Sequence, residues 1–234
     1  MSASLRVVIG KPPGIRVFAG GFSQQAELTG SATVKGGFGS SVALSAGGST
    51  ALVGTSSLNG VAGAVYVFTL RAGTWSQTAE LTASGTSAQD DFGSSVALSA
   101  GGSTALVGAP GRNSYAGAVY VFTLRRGTWS QAGKLTASHA AAHDQFGASV
   151  ALSAGASTAL VGAPGHNSLA GAGYVFTLRG GTWSQTGELT ASGAASGNQF
   201  GTSVALSAGG STALVGAIGY NSYAGAGYVF APGR

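Results

Sequence analysis

FGSSVALSAGGSTALVGAPGRNSYAGAVYVF, residues 92–122, holds the decisive pattern of the chain. Val96 and Leu98 alternate with small residues, Gly101 and Gly102 mark a turn, and Thr104 to Val107 resumes an apolar run. That order predicts a tight hairpin. A longer loop, GAPGRNSYAG, then leads into the β-branched and aromatic run AVYVFTL. Arg125, Arg126 and Gly127 turn the chain again into TWSQAGKLT. Four antiparallel strands are predicted, and no segment has a helical period.

The unit recurs. Phe-Gly pairs begin at Phe38, Phe92, Phe146 and Phe200, a constant step of 54 residues, and Trp75, Trp129 and Trp183 keep the same step. SVALSAG appears unchanged from Ser41, Ser95, Ser149 and Ser203, and TWSQ from Thr74, Thr128 and Thr182. A four-stranded sheet with apolar residues on both faces is not satisfied alone. Radial stacking covers both faces and keeps strand edges short, which predicts an all-β fold, a β-propeller of four-stranded blades with about 54 residues per repeat. A solenoid has shorter coils, and a sandwich does not repeat one sequence four times. Glycines at Gly39, Gly54 and Gly63 and their counterparts fit crowded backbone or left-handed turns.

Blade number is less constrained than blade identity. The reading takes 1–234 as one propeller domain, with repeats starting near 38, 92, 146 and 200 and the last lacking its fourth strand after Phe230. Residues 1–29 form a divergent partial blade, in which LRVVIG resembles a second strand, IRVFAG a third and FSQQAELT a fourth, Phe22 standing near the place of Trp75. FSQQAELT can complete the last blade and close a four-bladed ring as a velcro strand. Alternatively five blades are present with both end blades incomplete, or strands are exchanged between chains in a homo-oligomer.

FG at the start of a unit, VGAP from Val107 and Val161, and GAVYVF after it resemble the FG-GAP repeats of integrin α-subunit head propellers and of many bacterial surface proteins. The resemblance covers almost the whole chain. VGTS from Val53 and VGAI from Val215 lack the proline. In integrin-like members the turn between the first two strands carries a DxDxDG calcium loop, because a hard cation takes six to eight oxygen ligands. Here that turn reads SAGGST, with Gly47-Gly48, Gly101-Gly102, Gly155-Ala156 and Gly209-Gly210 and no carboxylate. No calcium, and no other cofactor, is expected. The resemblance also implies an extracellular or cell-surface setting.

Composition narrows the partners. Only 7% of the 234 residues are charged and 42 are glycine, so Ser, Thr, Asn, Gln, Gly and Ala make much of the surface. The net charge of +5 reflects scarce acids and not a basic run, so a nucleic-acid partner is not expected. Cysteine is absent, which excludes thiol catalysis, disulfides and thiolate metal sites. The start, MSASLRVVIGKPPG, lacks the apolar stretch of a secretory signal, and no run approaches the ~18 apolar residues of a membrane span. A soluble chain, cytoplasmic or already trimmed, is the expectation.

In propellers of this family the loops between second and third strands share a face with the connections between blades. That layout places Asp90, Asp91, Asp144, His139, His143 and His166 on one face and the turn residues Arg71, Arg125, Arg126 and Arg179 on the other. Within the long loop the chain varies at Leu58, Arg112, His166 and Tyr220, and again at Val61, Tyr115, Leu169 and Tyr223, around the constant Asn59, Asn113, Asn167 and Asn221. Arg112, Tyr115, His166, Tyr220 and Tyr223 are the candidate ligand-binding residues, since Arg, Tyr and His on rigidly held loops offer area and hydrogen bonds together. The tryptophans are assigned to packing between blades rather than to stacking on sugars.

No catalytic residue is assigned. His139, His143 and Asp144 occur in one unit only and fall short of a defined metal site. Serine is abundant without a G-x-S-x-G elbow, and the six carboxylates include no pair placed for acid–base work. The reading is therefore a lectin-like, non-catalytic module that binds a glycan or protein. A self-assembling structural repeat is the alternative, followed by a polysaccharide-acting enzyme.

Overall fold

The computed structural model describes residues 23–30, 37–56 and 62–232. The strands proposed within residues 5–22, and Leu58, Asn59 and Val61, lie outside them. Four sheets follow one another. The first comprises β1 (Gly37–Leu44), β2 (Thr50–Ser56), β3 (Ala64–Arg71) and β4 (Thr74–Leu81). The second comprises β5 (Ser95–Leu98), β6 (Thr104–Ala109), β7 (Ala118–Arg125) and β8 (Thr128–Leu135). The third comprises β9 (Ser149–Leu152), β10 (Thr158–Ala163), β11 (Ala172–Arg179) and β12 (Thr182–Leu189). The fourth has three strands, β13 (Phe200–Leu206), β14 (Ala213–Ala217) and β15 (Ala226–Phe230).

All pairings inside a sheet are antiparallel meanders. The first strands touch in succession, β1 to β5, β5 to β9 and β9 to β13, so they form the inner edge around which four propeller blades are stacked. A ladder of backbone hydrogen bonds ties their turns together: Ala46 N–H to Ala100 O at 3.0 Å, Ala100 N–H to Ala154 O at 3.0 Å, and Ala154 N–H to Ala208 O at 2.9 Å.

Register explains why each blade has two distinct apolar faces. Val96, Val107 and Tyr120 lie opposite one another across β5, β6 and β7, and Leu98, Ala105 and Phe122 do the same one pair further. These make the leading face, against which the previous blade packs. Ala97, Leu106 and Val121 alternate with them and make the trailing face. The leading face of the second blade joins Leu52, Val65, Val67 and Leu81 of the first in one core. Leu106, Val119, Val121 and Leu135 meet the third blade, and Leu160 and Ala191 meet the fourth, in the same way. A bulge in each fourth strand, between the partners of Val121 and Phe122 for example, rotates Trp129 onto the leading side. Trp129 and Trp183 pack against the cores between blades, as their recurrence implies.

The Phe of each Phe-Gly pair is the keystone of such a core. Phe92, Phe146 and Phe200 are fully buried, each flanked by a Tyr and a Phe of its own third strand at ring separations of 5.5–6.1 Å. The glycine that follows adopts φ of +90° to +94° at Gly93, Gly147 and Gly201, a conformation that disfavours any side chain. It lets the carbonyl of Gly147 turn toward the second blade, where the Ser95 hydroxyl donates to it at 2.7 Å. Ser41 to Gly93 and Ser149 to Gly201 repeat that bond at the same distance.

Candidate functional site

The turn between the first and second strands of each blade is held by serine. Ser45, Ser99, Ser153 and Ser207 each accept a hydrogen bond from the backbone N–H five residues on, at 3.0–3.1 Å. The hydroxyl thus ties the two ends of the turn together. Arg71, Arg125, Arg126 and Arg179 sit exposed at the hairpins between third and fourth strands, which antiparallel connectivity puts at the same end of the blades.

The opposite end carries the long loops. Those of the second, third and fourth blades each fold into one helical turn, α1 (Arg112–Tyr115), α2 (His166–Leu169) and α3 (Tyr220–Tyr223). Within each turn the last three residues are left-handed, for instance Asn113, Ser114 and Tyr115 at φ of 51°, 56° and 64°. Asn tolerates this region, whereas Ser, Tyr and Leu are strained in it. What compensates is visible in the next blade. His143 N–H donates to Ser114 O, Gln145 N–H to Tyr115 O at 2.7 Å, and Phe146 N–H to Ala116 O, so the left-handed turn presents its carbonyls to the following Phe-Gly strand. Gln199 and Phe200 bond to Leu169 and Ala170 in the same manner.

Of the five candidate binding residues, two are engaged inside the protein. Arg112 Nη1 donates to Asp90 Oδ2 at 2.7 Å and to the carbonyl of Gly85. Asp90 ends a short 3₁₀ turn, Ala88–Asp90, and also accepts from the Ser87 hydroxyl and N–H. Burial opposes its ionisation, but the hydrogen bonds from Arg112 and Ser87 outweigh that and hold its carboxyl below the ordinary range. His166 Nδ1 lies 3.1 Å from Asp144 Oδ2, with Glu188 3.8 Å from Nε2. Asp90, Asp144 and Asn198 are all buried and keep the 54-residue step, and Arg112 and His166 are each matched to the carboxylate beneath them.

The other three candidates are exposed side chains. Tyr115 stacks on His143 with ring centroids 6.0 Å apart and planes 13° from parallel. Tyr220 stands edge-on to Tyr228, and Tyr223 is 75% exposed. Leu169, exposed at the place of Tyr115 and Tyr223, joins this row although its chemistry did not single it out. The trio His139, His143 and Asp144 does not converge: His139 pairs with the Ser138 hydroxyl, His143 with Tyr115 and Asp144 with His166. Among the described residues no group of three or more His, Asp or Glu side chains is arranged to hold a metal. Deeper in, the Tyr120 and Tyr174 hydroxyls are buried without a protein hydrogen-bond partner among the described residues, and burial pushes both phenols above their ordinary value.

The Asp90–Arg112 contact has a testable pH signature. A carboxyl held low in the folded state stabilises above the ordinary carboxylate range, and the contribution disappears as pH falls below about 4. Asp90→Asn is therefore expected to destabilise at pH 7, with the gap to the parent protein narrowing between pH 5 and 3 in urea titrations at each pH; a gap independent of pH excludes the ion pair as its cause.

No helix among the described residues is long and apolar enough to cross a membrane. No curated protein matches the sequence. Among solved structures, hydrazine synthase of Kuenenia stuttgartiensis is similar at 15% identity and a TM-score of 0.55, over 88% of this chain and 49% of that one. TolB of Acinetobacter baumannii aligns at 13% identity and a TM-score of 0.48, over 82% of this chain and 43% of its own. The chain thus spans about half the length of the solved chains it matches, and what it shares with hydrazine synthase is the fold. The FG-GAP repeat model matches residues 75–122, 129–176 and 183–230, each span running from a tryptophan on a fourth strand into the next blade's third. With more than half of its length matched by that model, the chain belongs to the FG-GAP repeat family.

Proposed function

We propose that this propeller is a non-catalytic binding module that recognises a glycan or protein on the face carrying α1, α2 and α3. The observation that supports the reading is the row of exposed side chains Tyr115, Leu169 and Tyr223 at equivalent points of the three turns, with Tyr220 beside the last, the turns that bear Tyr115 and Leu169 being pinned to the next blade by backbone hydrogen bonds. A flat aromatic held on a rigid turn loses little entropy on binding and offers both an apolar face and a hydroxyl. Arg112 and His166 sit beside the row and supply polar contacts, oriented by Asp90 and Asp144. Calcium is not required in this reading, since serine hydroxyls close the turns at the opposite end.

The test is a screen of glycan and protein-ectodomain arrays with the whole chain, in calcium and in chelator, followed by Tyr223→Ala and Tyr115→Ala. Capture in both buffers is expected, falling at least tenfold in each variant. Tyr223→Ala should shift stability by no more than about 0.5 kcal/mol, as for an exposed site. Capture that survives both substitutions, or that needs calcium, overturns the reading.

A further inference from the structure

The four blades are not equivalent at the ends of the row. On the first, the leading-face residues Val42 and Leu44 are 69% and 61% exposed, while their counterparts Val96 and Leu98 pack on the preceding blade. On the last, the trailing-face residues Leu214 and Val229 are 48% and 70% exposed, while Leu52, Leu106 and Leu160 are fully buried. The two bare surfaces are thus the two complementary halves of one interface that the chain already builds three times. Each has a depression of its own. One of about 450 Å³ is lined by Leu28, Val42, Leu44 and Trp75, and one of about 240 Å³ by Ala205, Leu214 and Gly227.

The strand inventory has the same asymmetry. Residues 23–30, SQQAELTG, correspond to SQTAELTA, residues 76–83, most of which lie on β4, yet pair with no strand among the described residues. Leu28 nevertheless packs on Ala51, Val53, Tyr66 and Phe68, as Leu81 packs on the second blade. A segment with fourth-strand sequence thus lies against the first blade without a sheet of its own. Meanwhile the fourth sheet ends at β15, whose outer edge is where a fourth strand would add.

We infer that the fourth blade of one chain docks on the first blade of a second copy, with residues 23–30 of that copy adding to β15 as its missing strand. The repeat fixes the register. Ala208 N–H would donate to Ala46 O of the partner subunit, continuing the ladder at the inner edge, and the Ser203 hydroxyl would donate to Gly39 O of the partner subunit, continuing the serine–glycine bonds. Among the described residues of one chain both faces are exposed at once, and since each is the complement of the other, a second copy is the occupant that fits both. The contact is head-to-tail, because the faces differ, and it propagates until a ring closes. The inference is independent of ligand binding on the loop face.

Solution mass of the full chain by light scattering across a concentration series tests it, with Leu44→Asp and Val229→Asp as variants that each spoil one face. Both positions are exposed, so circular dichroism and melting should show folded variants. The parent chain is expected to be oligomeric and each variant monomeric. An equimolar mixture should give a species of twice the chain mass, since each variant retains the face the other has lost. A monomeric parent at all concentrations, an oligomer that persists in either variant, or a mixture that stays monomeric overturns the inference. The readout is mass alone, so its failure leaves the loop-face reading standing, and the converse holds.

Discussion

Replacing Phe146 by alanine should lower stability by about 3–5 kcal/mol, the range for deleting a large aromatic from a closed core. The ring is fully buried between the second and third blades and contacts Tyr174 and Phe176 at 5.6 and 5.9 Å. Its own N–H is also tied to Ala116 O of the preceding loop. Truncation therefore leaves a cavity at a place where both walls are fixed by backbone bonds and collapse is restricted. Phe38 is the same residue in the first blade, at the start of the row, and is only partly buried. Phe38→Ala should cost clearly less, about 1–2 kcal/mol, since less area leaves water in the first place. Urea unfolding of the two variants under identical conditions checks the difference. Equal losses would mean that Phe38 is covered as completely as Phe146, which is what docking of a second copy over the first blade predicts at high protein concentration. The comparison is therefore best made at several concentrations.

What could be read from residues alone depended on whether the repeat carried the signal. Strand order and hairpin positions follow from a pattern written four times, and periodic alternation reports directly on faces. The interblade role of Trp129 was legible for the same reason. The environment of Arg112 and His166 was harder to see. They look like free polar groups on a variable loop, but Asp90 and Asp144 lie beneath them on the preceding connection, 22 residues earlier in each case. The signal was present in the sequence as a buried Asp kept 22 residues before both Arg112 and His166 and replaced by Asn198 before Tyr220, and is visible only when two positions of the unit are compared together. The strained left-handed turns are a second kind of omission. Asn113 announces one left-handed residue, but nothing local announces three, because the compensation comes from N–H groups of the following blade.

Crowding between blades gives the second large effect, at the glycine of each Val-Gly pair. A methyl group at Gly108 would overlap the carbonyl of Gly147 and the Ser95 hydroxyl, the two atoms joined by the interblade hydrogen bond. Gly147 N–H is itself bonded to Gly162 O at 3.0 Å, so the obstructing carbonyl belongs to a backbone held from the other side. The methyl can be accommodated only by moving the third blade away from the second. Overpacking of about 1–3 kcal/mol, added to a lost hydrogen bond of about 1 kcal/mol, puts Gly108→Ala at about 2–4 kcal/mol. Ser95→Ala alone removes the donor without pressure on the backbone and should cost about 1–2 kcal/mol. The double variant Ser95→Ala/Gly108→Ala relieves one of the two overlaps, so its loss should fall short of the sum of the single losses while exceeding that of Ser95→Ala. Denaturant midpoints of the three variants decide the matter. A Gly108→Ala protein within 0.5 kcal/mol of the parent would show that the blades are not in this register. Strict additivity would show that Ser95 and Gly108 do not share one contact.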